Sequence, residues 1–188
     1  VYKCTTEYSL NHQEIYLAHN TPINNVSWNP YLPNIFLTCA SEWMIKLWDQ
    51  RSTTPLFMYD LNSQVGDVLW SPYSSTVFAA VTVDGKAHIF DLFADRYHPI
   101  CSQQVVSSKT AILNHVAFNA HHPVLLVGDS LGHVQCLKLS PNLREQTREV
   151  KDALKKKDKK KALELEVQKL VRILAIVRNG MEPDTVKI

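Results

Sequence analysis

The chain has 188 residues, among them eight histidines, four cysteines and eighteen aspartates and glutamates, and their spacing decides what chemistry they can share. His121 and His122 are adjacent, so along a strand they point to opposite faces and do not readily share a metal ion. No H-x-x-x-H pair and no Cys/His ligand spacing occurs. Cys4, Cys39, Cys101 and Cys136 are far apart, and two of them lie in apolar strand runs, the pattern of reduced thiols in a cytosolic compartment. His88 and His133 fall at alternating strand positions and read as packed or surface residues. There is no P-loop and no G-x-G-x-x-G, and only five glycines exist to cradle a phosphate. No carboxylate pair is marked out. The chain reads as a non-enzyme, with no catalytic residue, no cofactor and no metal ligand expected.

Charge is distributed unevenly. Residues 1–143 carry 7 Lys/Arg against 10 Asp/Glu, a net of −3, whereas residues 144–188 carry 13 against 8, a net of +5. A near-neutral body therefore joins a basic tail, and such a step marks a module boundary. No stretch reaches the roughly 18 consecutive apolar residues of a membrane-spanning helix, so no membrane association is expected. Val1-Tyr2-Lys3-Cys4-Thr5-Thr6 has neither the basic start nor the apolar run of a secretory signal, and without an initiating Met it fits a chain that begins inside a longer one.

Internal repetition fixes the expected fold. Val26-Ser27-Trp28-Asn29-Pro30-Tyr31 returns 42 residues later as Val68-Leu69-Trp70-Ser71-Pro72-Tyr73, and the same offset aligns Phe36 with Phe78, Trp48 with Phe90, and Asp49 with Asp91. Six of 24 aligned positions are identical, too many for chance with the turns also in step. A weaker third copy runs from Val116-Ala117-Phe118-Asn119 to Leu137. Within a copy, Val26–Trp28, Ile35–Cys39, Ile45–Trp48 and Leu56–Leu61 read as four strands. The turns fall at Ser41-Glu42-Trp43, Asp84-Gly85 and Leu131-Gly132, the second being a strong hairpin signal.

Four strands per period of about 40–45 residues, closing on Trp-Asp, is the pattern of a WD40 β-propeller blade. The expected fold is all-β, about three blades of a larger, seven-bladed ring, with a C-terminal α-helical tail. The expected propeller covers 1–140, with blades at 1–19, 20–62, 63–108 and 109–140. Trp28, Trp48, Asp49, Trp70, Asp84, Phe90, Asp91 and Phe118 are its repeat-defining residues. The His that precedes the first strand of a regular blade occurs once, at His19, and only Asp84 keeps the turn aspartate; Glu42 and Leu131 replace it elsewhere. The buried His/Asp/Ser-Thr/Trp network of regular blades is therefore expected to be incomplete, with packing carrying more of the stability. Three blades are too few to close a ring, so missing blades are expected upstream.

Residues 141–161 read as a basic linker or frayed helix, 162–179 as an amphipathic helix and 180–188 as a terminal extension. Lys151–Lys161 holds seven Lys and two Asp with no interleaved aromatic residue, so a solvated segment is favoured and nucleic-acid binding is not. Leu163, Val167, Leu170, Leu174 and Val177 recur at steps of four and three, widened by Val171 and Ile173. This seam needs a cover, either the propeller's own flank or a partner's helices, and the second is modestly favoured. Asn179-Gly180 followed by Pro183 reads as the helix stop.

Two resemblances follow. Trp48-Asp49-Gln50-Arg51 is similar to the W-D-x-R pattern of propellers that serve as substrate receptors of cullin-type ubiquitin ligases, with Arg51 as the adaptor contact. The plainer alternative is a routine blade end, with Trp48 in the core and Arg51 paired with an acid. Over residues 1–143 the chain resembles the C-terminal propeller half of dynein intermediate chains, of the axonemal outer-arm type. The residues that carry the likeness are Val1–Tyr8, Tyr16–Asn20, Val26–Pro30, Ile45–Asp49, Asp67–Pro72, Phe78–Gly85 and Val116–Asn119. The resemblance implies a scaffold that docks on the dynein heavy-chain tail, with a second intermediate chain as neighbour and light chains held by an upstream region absent from this sequence. It implies a place in the cytoplasm and cytoskeleton, at the axoneme of a cilium or flagellum.

Overall fold

The computed structural model describes residues 1–4, 12–106, 110–144, 148–155 and 158–178. Among the described residues thirteen strands form four antiparallel sheets. The first pairs β1 (Tyr2–Cys4) with β2 (His12–Ile15). The second runs β3 (Ile23–Trp28), β4 (Ile35–Ala40), β5 (Met44–Asp49) and β6 (Phe57–Asp60), in that spatial order. The third repeats it with β7 (Val65–Trp70), β8 (Val77–Thr82), β9 (Lys86–Asp91) and β10 (Cys101–Gln104). The fourth has three strands, β11 (Leu113–Phe118), β12 (Val124–Asp129) and β13 (Val134–Lys138). Meandering four-stranded sheets stacked side by side are propeller blades, and the fold is the WD40 arc with a helical tail that the repeats predict.

The apolar pattern explains the order. Every residue of β4 and of β8 is buried, because the second strand of a blade is covered on both faces by neighbouring blades. The register places Trp28, Phe36 and Trp48 side by side across three strands, and Trp70, Phe78 and Phe90 likewise one blade on. Phe36 and Trp48 lie nearly parallel with centroids 6.1 Å apart, as do Phe78 and Phe90 at 4.6 Å. Tyr16 packs edge-on against the first pair and Tyr59 tilts onto the second, so each of these two blades receives a tyrosine from the sheet before it.

The first strand of each blade carries a bulge, between Ile23 and Asn25, Val65 and Asp67, and Leu113 and His115. Within the middle bulge, a Cβ on Gly66 would stand 2.2 Å from the Leu113 carbonyl oxygen, so only glycine lets β7 and β11 approach this closely. Gly85 takes a φ of 82° in the β8–β9 turn, as Asp-Gly predicts.

After a 3-10 turn at Pro141–Arg144 come α1 (Arg148–Lys155) and α2 (Lys159–Arg178). Of the segment read as a basic linker or frayed helix, Lys151–Lys155 lies in α1 and Lys159–Lys161 forms the first turn of α2. Asp158 caps α2, its Oδ1 accepting the Lys161 N–H at 3.1 Å. Val150 and Ala153 of α1 pack on Ala162 and Leu165 of α2. The expected stop at Asn179-Gly180 and Pro183 lies outside the described residues, as does Thr5–Tyr8.

Candidate assembly surface

The blade hydrogen-bond network, expected to be broken, is complete in the first full blade. Thr38 Oγ1 accepts the Trp48 indole N–H at 2.9 Å and lies 2.7 Å from His19 Nε2, while His19 Nδ1 stands 2.6 Å from Glu42 Oε1. Glu42 is one methylene longer than aspartate, and from the rebuilt turn it reaches the imidazole all the same. Burial pushes the His19 pKa below its ordinary value, against the pull of Glu42. Burial alone would raise Glu42, but the His19 hydrogen bond and the Asn20 N–H hold it below the usual carboxylate range. The next blade uses a different set, in which Thr82 Oγ1 donates to Asp84 at 2.5 Å and meets His88 Nε2 at 3.1 Å, with Ser102 on His88 Nδ1 at 2.8 Å. Burial lowers the His88 pKa as well.

Blades are tied to one another at equivalent positions. Asp67, 5% exposed, accepts Asn25 Nδ2 at 2.5 Å on one side and the Val116 N–H at 3.0 Å on the other, with His115 Nδ1 3.2 Å away. The Trp70 indole donates to the Ser27 carbonyl across the blade boundary. Tyr31 donates to the Pro72 carbonyl at 2.8 Å, and one blade later Tyr73 donates to the Asn119 and His122 carbonyls. The loops that hold these tyrosines are pinned by Asn29, Ser71 and Asn119, whose side-chain oxygens accept backbone N–H groups two residues on. These repeated contacts make the arc a stiff unit.

The tail closes onto this arc. Leu170, Ile173 and Leu174 are buried in the same core as Leu47, Phe57, Trp70, Phe78 and Phe90, with Val177 packed at its margin. Glu166, 2% exposed, accepts the Ser75 backbone N–H at 2.8 Å and the Ser75 hydroxyl at 2.9 Å, and Lys169 Nζ donates to Ser74 at 3.2 Å while standing 4.9 Å over the Phe93 ring. The reading that favoured a partner's helices is thus corrected for Leu170, Leu174 and Val177, because the apolar flank of the second and third sheets already covers them. Val167 is half-buried, while Leu163 and Val171 are exposed, since the docked face follows 166, 170, 173, 174 and 177 and leaves that edge outside.

The other predicted residues divide by burial. Trp48, Trp70, Phe90 and Asp49 are buried; Phe118 and Asp91 are half-buried; Trp28 and Asp84 are exposed. Asp49 accepts the Arg51 N–H at 3.0 Å, Asp91 accepts the Thr76 hydroxyl at 2.6 Å, and Phe118 meets the edge of Tyr73. Arg51 itself is exposed, and among the described residues its guanidinium pairs with no carboxylate, so the expected acid partner is not there. Sequence reasoning missed Asp67, Glu166 and the pair Tyr16/Tyr59. The two tyrosines recur at an offset of 43 rather than 42, which hid them from the alignment. Cys39 is fully buried, its pKa pushed up to about 12 by burial, and all four cysteines are free. No group of three or more His, Cys, Asp or Glu among the described residues is placed to hold a metal ion. What the molecule offers is surface: rigid, repeated, and used to hold its own parts in register.

Such an arc is part of a WD-repeat propeller. Residues 6–139 match the family described as the dynein axonemal intermediate chain 3 WD40 domain. The chain is 51% identical to dynein axonemal intermediate chain 1 of Bos taurus and 45% identical to the ciliary dynein intermediate chain 2 of Heliocidaris crassispina, over 95% of its length in each case. It is 38% identical over 96% of its length to the 78 kDa intermediate chain of the flagellar outer arm dynein of Chlamydomonas reinhardtii. The chain belongs to the dynein intermediate-chain family. It spans about a quarter of the length of these relatives, 25% in each case.

Proposed function

We propose that the chain is part of a non-catalytic intermediate-chain scaffold of axonemal outer-arm dynein. It docks on the heavy-chain tail beside a second intermediate chain, and so supports motor assembly and ciliary motility at the axoneme. Light chains attach through a region upstream of this sequence. The observation that carries the reading is the 38% identity to a flagellar outer-arm intermediate chain along 96% of this sequence, tail helix included. The physics agrees with it: a stiff stack of blades displays broad rims and loops to several partners, and needs no reactive group to do so. The ubiquitin-ligase reading through Arg51 has no comparable support, because the relatives matched are dynein chains.

Affinity purification of the full-length protein from ciliated cells, followed by mass spectrometry, tests the proposal. Dynein heavy chain and a second intermediate chain are the expected dominant partners. A cullin adaptor in their place, lost on Arg51→Ala, would overturn it.

A further inference from the structure

The β4–β5 hairpin departs from its sisters. The equivalent turns in the next two blades carry Gly85 and Gly132, with φ of 82° and 86°. Here the turn is Ser41-Glu42-Trp43, none of whose residues takes a positive φ, and it puts the largest side chain where the other blades have none. Trp43 is 54% exposed, and among the described residues its indole joins no ring pair and no hydrogen bond. Met58 of β6, 60% exposed, lines the same concavity, and the register sets Met58 opposite Lys46 and Asp60 opposite Met44. Trp43, Met44, Met58, Glu42, Lys46 and Asp60 line a cavity of about 490 Å³. Exposed Trp and Met grouped round a concavity is the composition of an interface anchor, in which aromatic area and a pliable thioether grip an incoming side chain. The turn itself does not need the tryptophan, since Gly serves in the sister blades.

Charge selects what enters. Glu42 is ionised, and His19 beside it is kept neutral by burial. Among the described residues the Asp60 carboxylate accepts only the Asn62 N–H, at 2.9 Å, which leaves it open to a further donor. Among the described residues Lys46 is the one cation lining the cavity, and its ammonium already donates to the Ala18 carbonyl at 2.5 Å. Two carboxylates against one committed ammonium leave the pocket net negative. It therefore repels nucleic acid or an acidic peptide and attracts a basic one.

We propose that the Trp43–Met58 pocket docks a polypeptide segment of another subunit, one that sets an aliphatic or aromatic anchor against Trp43 and Met58 and a lysine or arginine against Asp60 and Glu42. The proposal goes beyond the scaffold reading and does not depend on which complex the chain serves, so the two fail separately.

The test uses the full-length chain and three fluorescein-labelled twelve-residue peptides: one of interspersed Leu and Lys, the same with Glu for Lys, and the same with Ser for Leu. Anisotropy should show binding of the first alone. Trp43→Ala and Met58→Ala should each weaken it by about tenfold or more, as truncation of an interface anchor does. Asp60→Lys should abolish it and admit the Glu peptide, with thermal unfolding confirming that all three variants remain folded. Equal binding of the Lys and Glu peptides, or indifference to Trp43→Ala, would overturn the proposal. So would a dimer of this chain that dissolves on Trp43→Ala, which assigns the pocket to a second copy. Protection of Trp43 from acrylamide in the free full-length protein would overturn it too, by assigning the pocket to the chain's own upstream segment.

Discussion

The docked tail helix makes the most exposed prediction, because the same residues would behave oppositely if they faced a partner. Leu170 is fully buried and Leu174 1% exposed, both within the core that joins the second and third sheets. Truncating a buried leucine to alanine costs about 2–5 kcal/mol in lost transfer energy and cavity. Leu170→Ala should therefore raise the open population of α2 by at least about thirtyfold, since about 1.4 kcal/mol is a factor of ten. Opposing the apolar seam is the buried Glu166, whose Oε2 is held by Ser75 while Oε1 finds no hydrogen-bond partner among the described residues. An unmet polar atom of this kind costs about 1–3 kcal/mol, so the helix has little margin to lose. Native-state hydrogen exchange on Leu170→Ala, read by fragment, is the assay. Amides of residues 166–177 should lose protection by that factor, while those of β4 and β8 keep theirs, because the blades hold each other without the tail. Unchanged protection across 166–177 would refute the docking argument. Equal loss in β4 and β8 would refute the claim that the tail is a separable layer.

Three further outcomes follow from the blade contacts. Thr38→Val leaves the buried Trp48 indole N–H without an acceptor and takes the hydroxyl from His19, and should cost about 2–4 kcal/mol, read as a lowered midpoint in denaturant at unchanged slope. Gly66→Ala should destabilise by more than about 2 kcal/mol, because its Cβ meets the Leu113 carbonyl oxygen at 2.2 Å and backbone cannot step aside; a neutral result by thermal unfolding would mean that β7 and β11 are less tightly apposed. His19 and His88 have folded pKa values lowered by burial, so the unfolded chain binds more protons below about pH 6.5, and the stability present above that pH falls as pH drops towards 5. His88→Asn should flatten that part of the profile, and an unaltered slope would place the titration elsewhere.

How much of this could be read from the residues varies with the kind of constraint. The aromatic ladder Trp28–Phe36–Trp48 and its copy Trp70–Phe78–Phe90 were predictable, because a two-residue strand period and a 42-residue repeat both act on the same side chains. Glu42 was misjudged because spacing within a turn does not reveal its path; a three-residue bend carries the longer carboxylate to the place an aspartate would fill. The tail was harder. Seams through 163, 167 and 170 and through 166, 170 and 173 differ by a modest rotation of one helix, and the one chosen puts a glutamate inside. What selects it is Ser75, whose N–H and hydroxyl face the helix from a loop 91 residues away in sequence. Asp67 stayed hidden for the same reason: its partners Asn25, Val116 and His115 lie on two other blades.

The role proposed for this chain is that of a structural member of an axonemal dynein. Salt extraction of axonemes followed by sucrose-gradient sedimentation, with the full-length protein followed by antibody, tests it most directly. The protein should sediment in one peak with the dynein heavy-chain ATPase and a second intermediate chain, at constant ratio across the fractions. A peak separate from heavy chain, or retention of the protein on axonemes from which the heavy chains have been fully extracted, would contradict it.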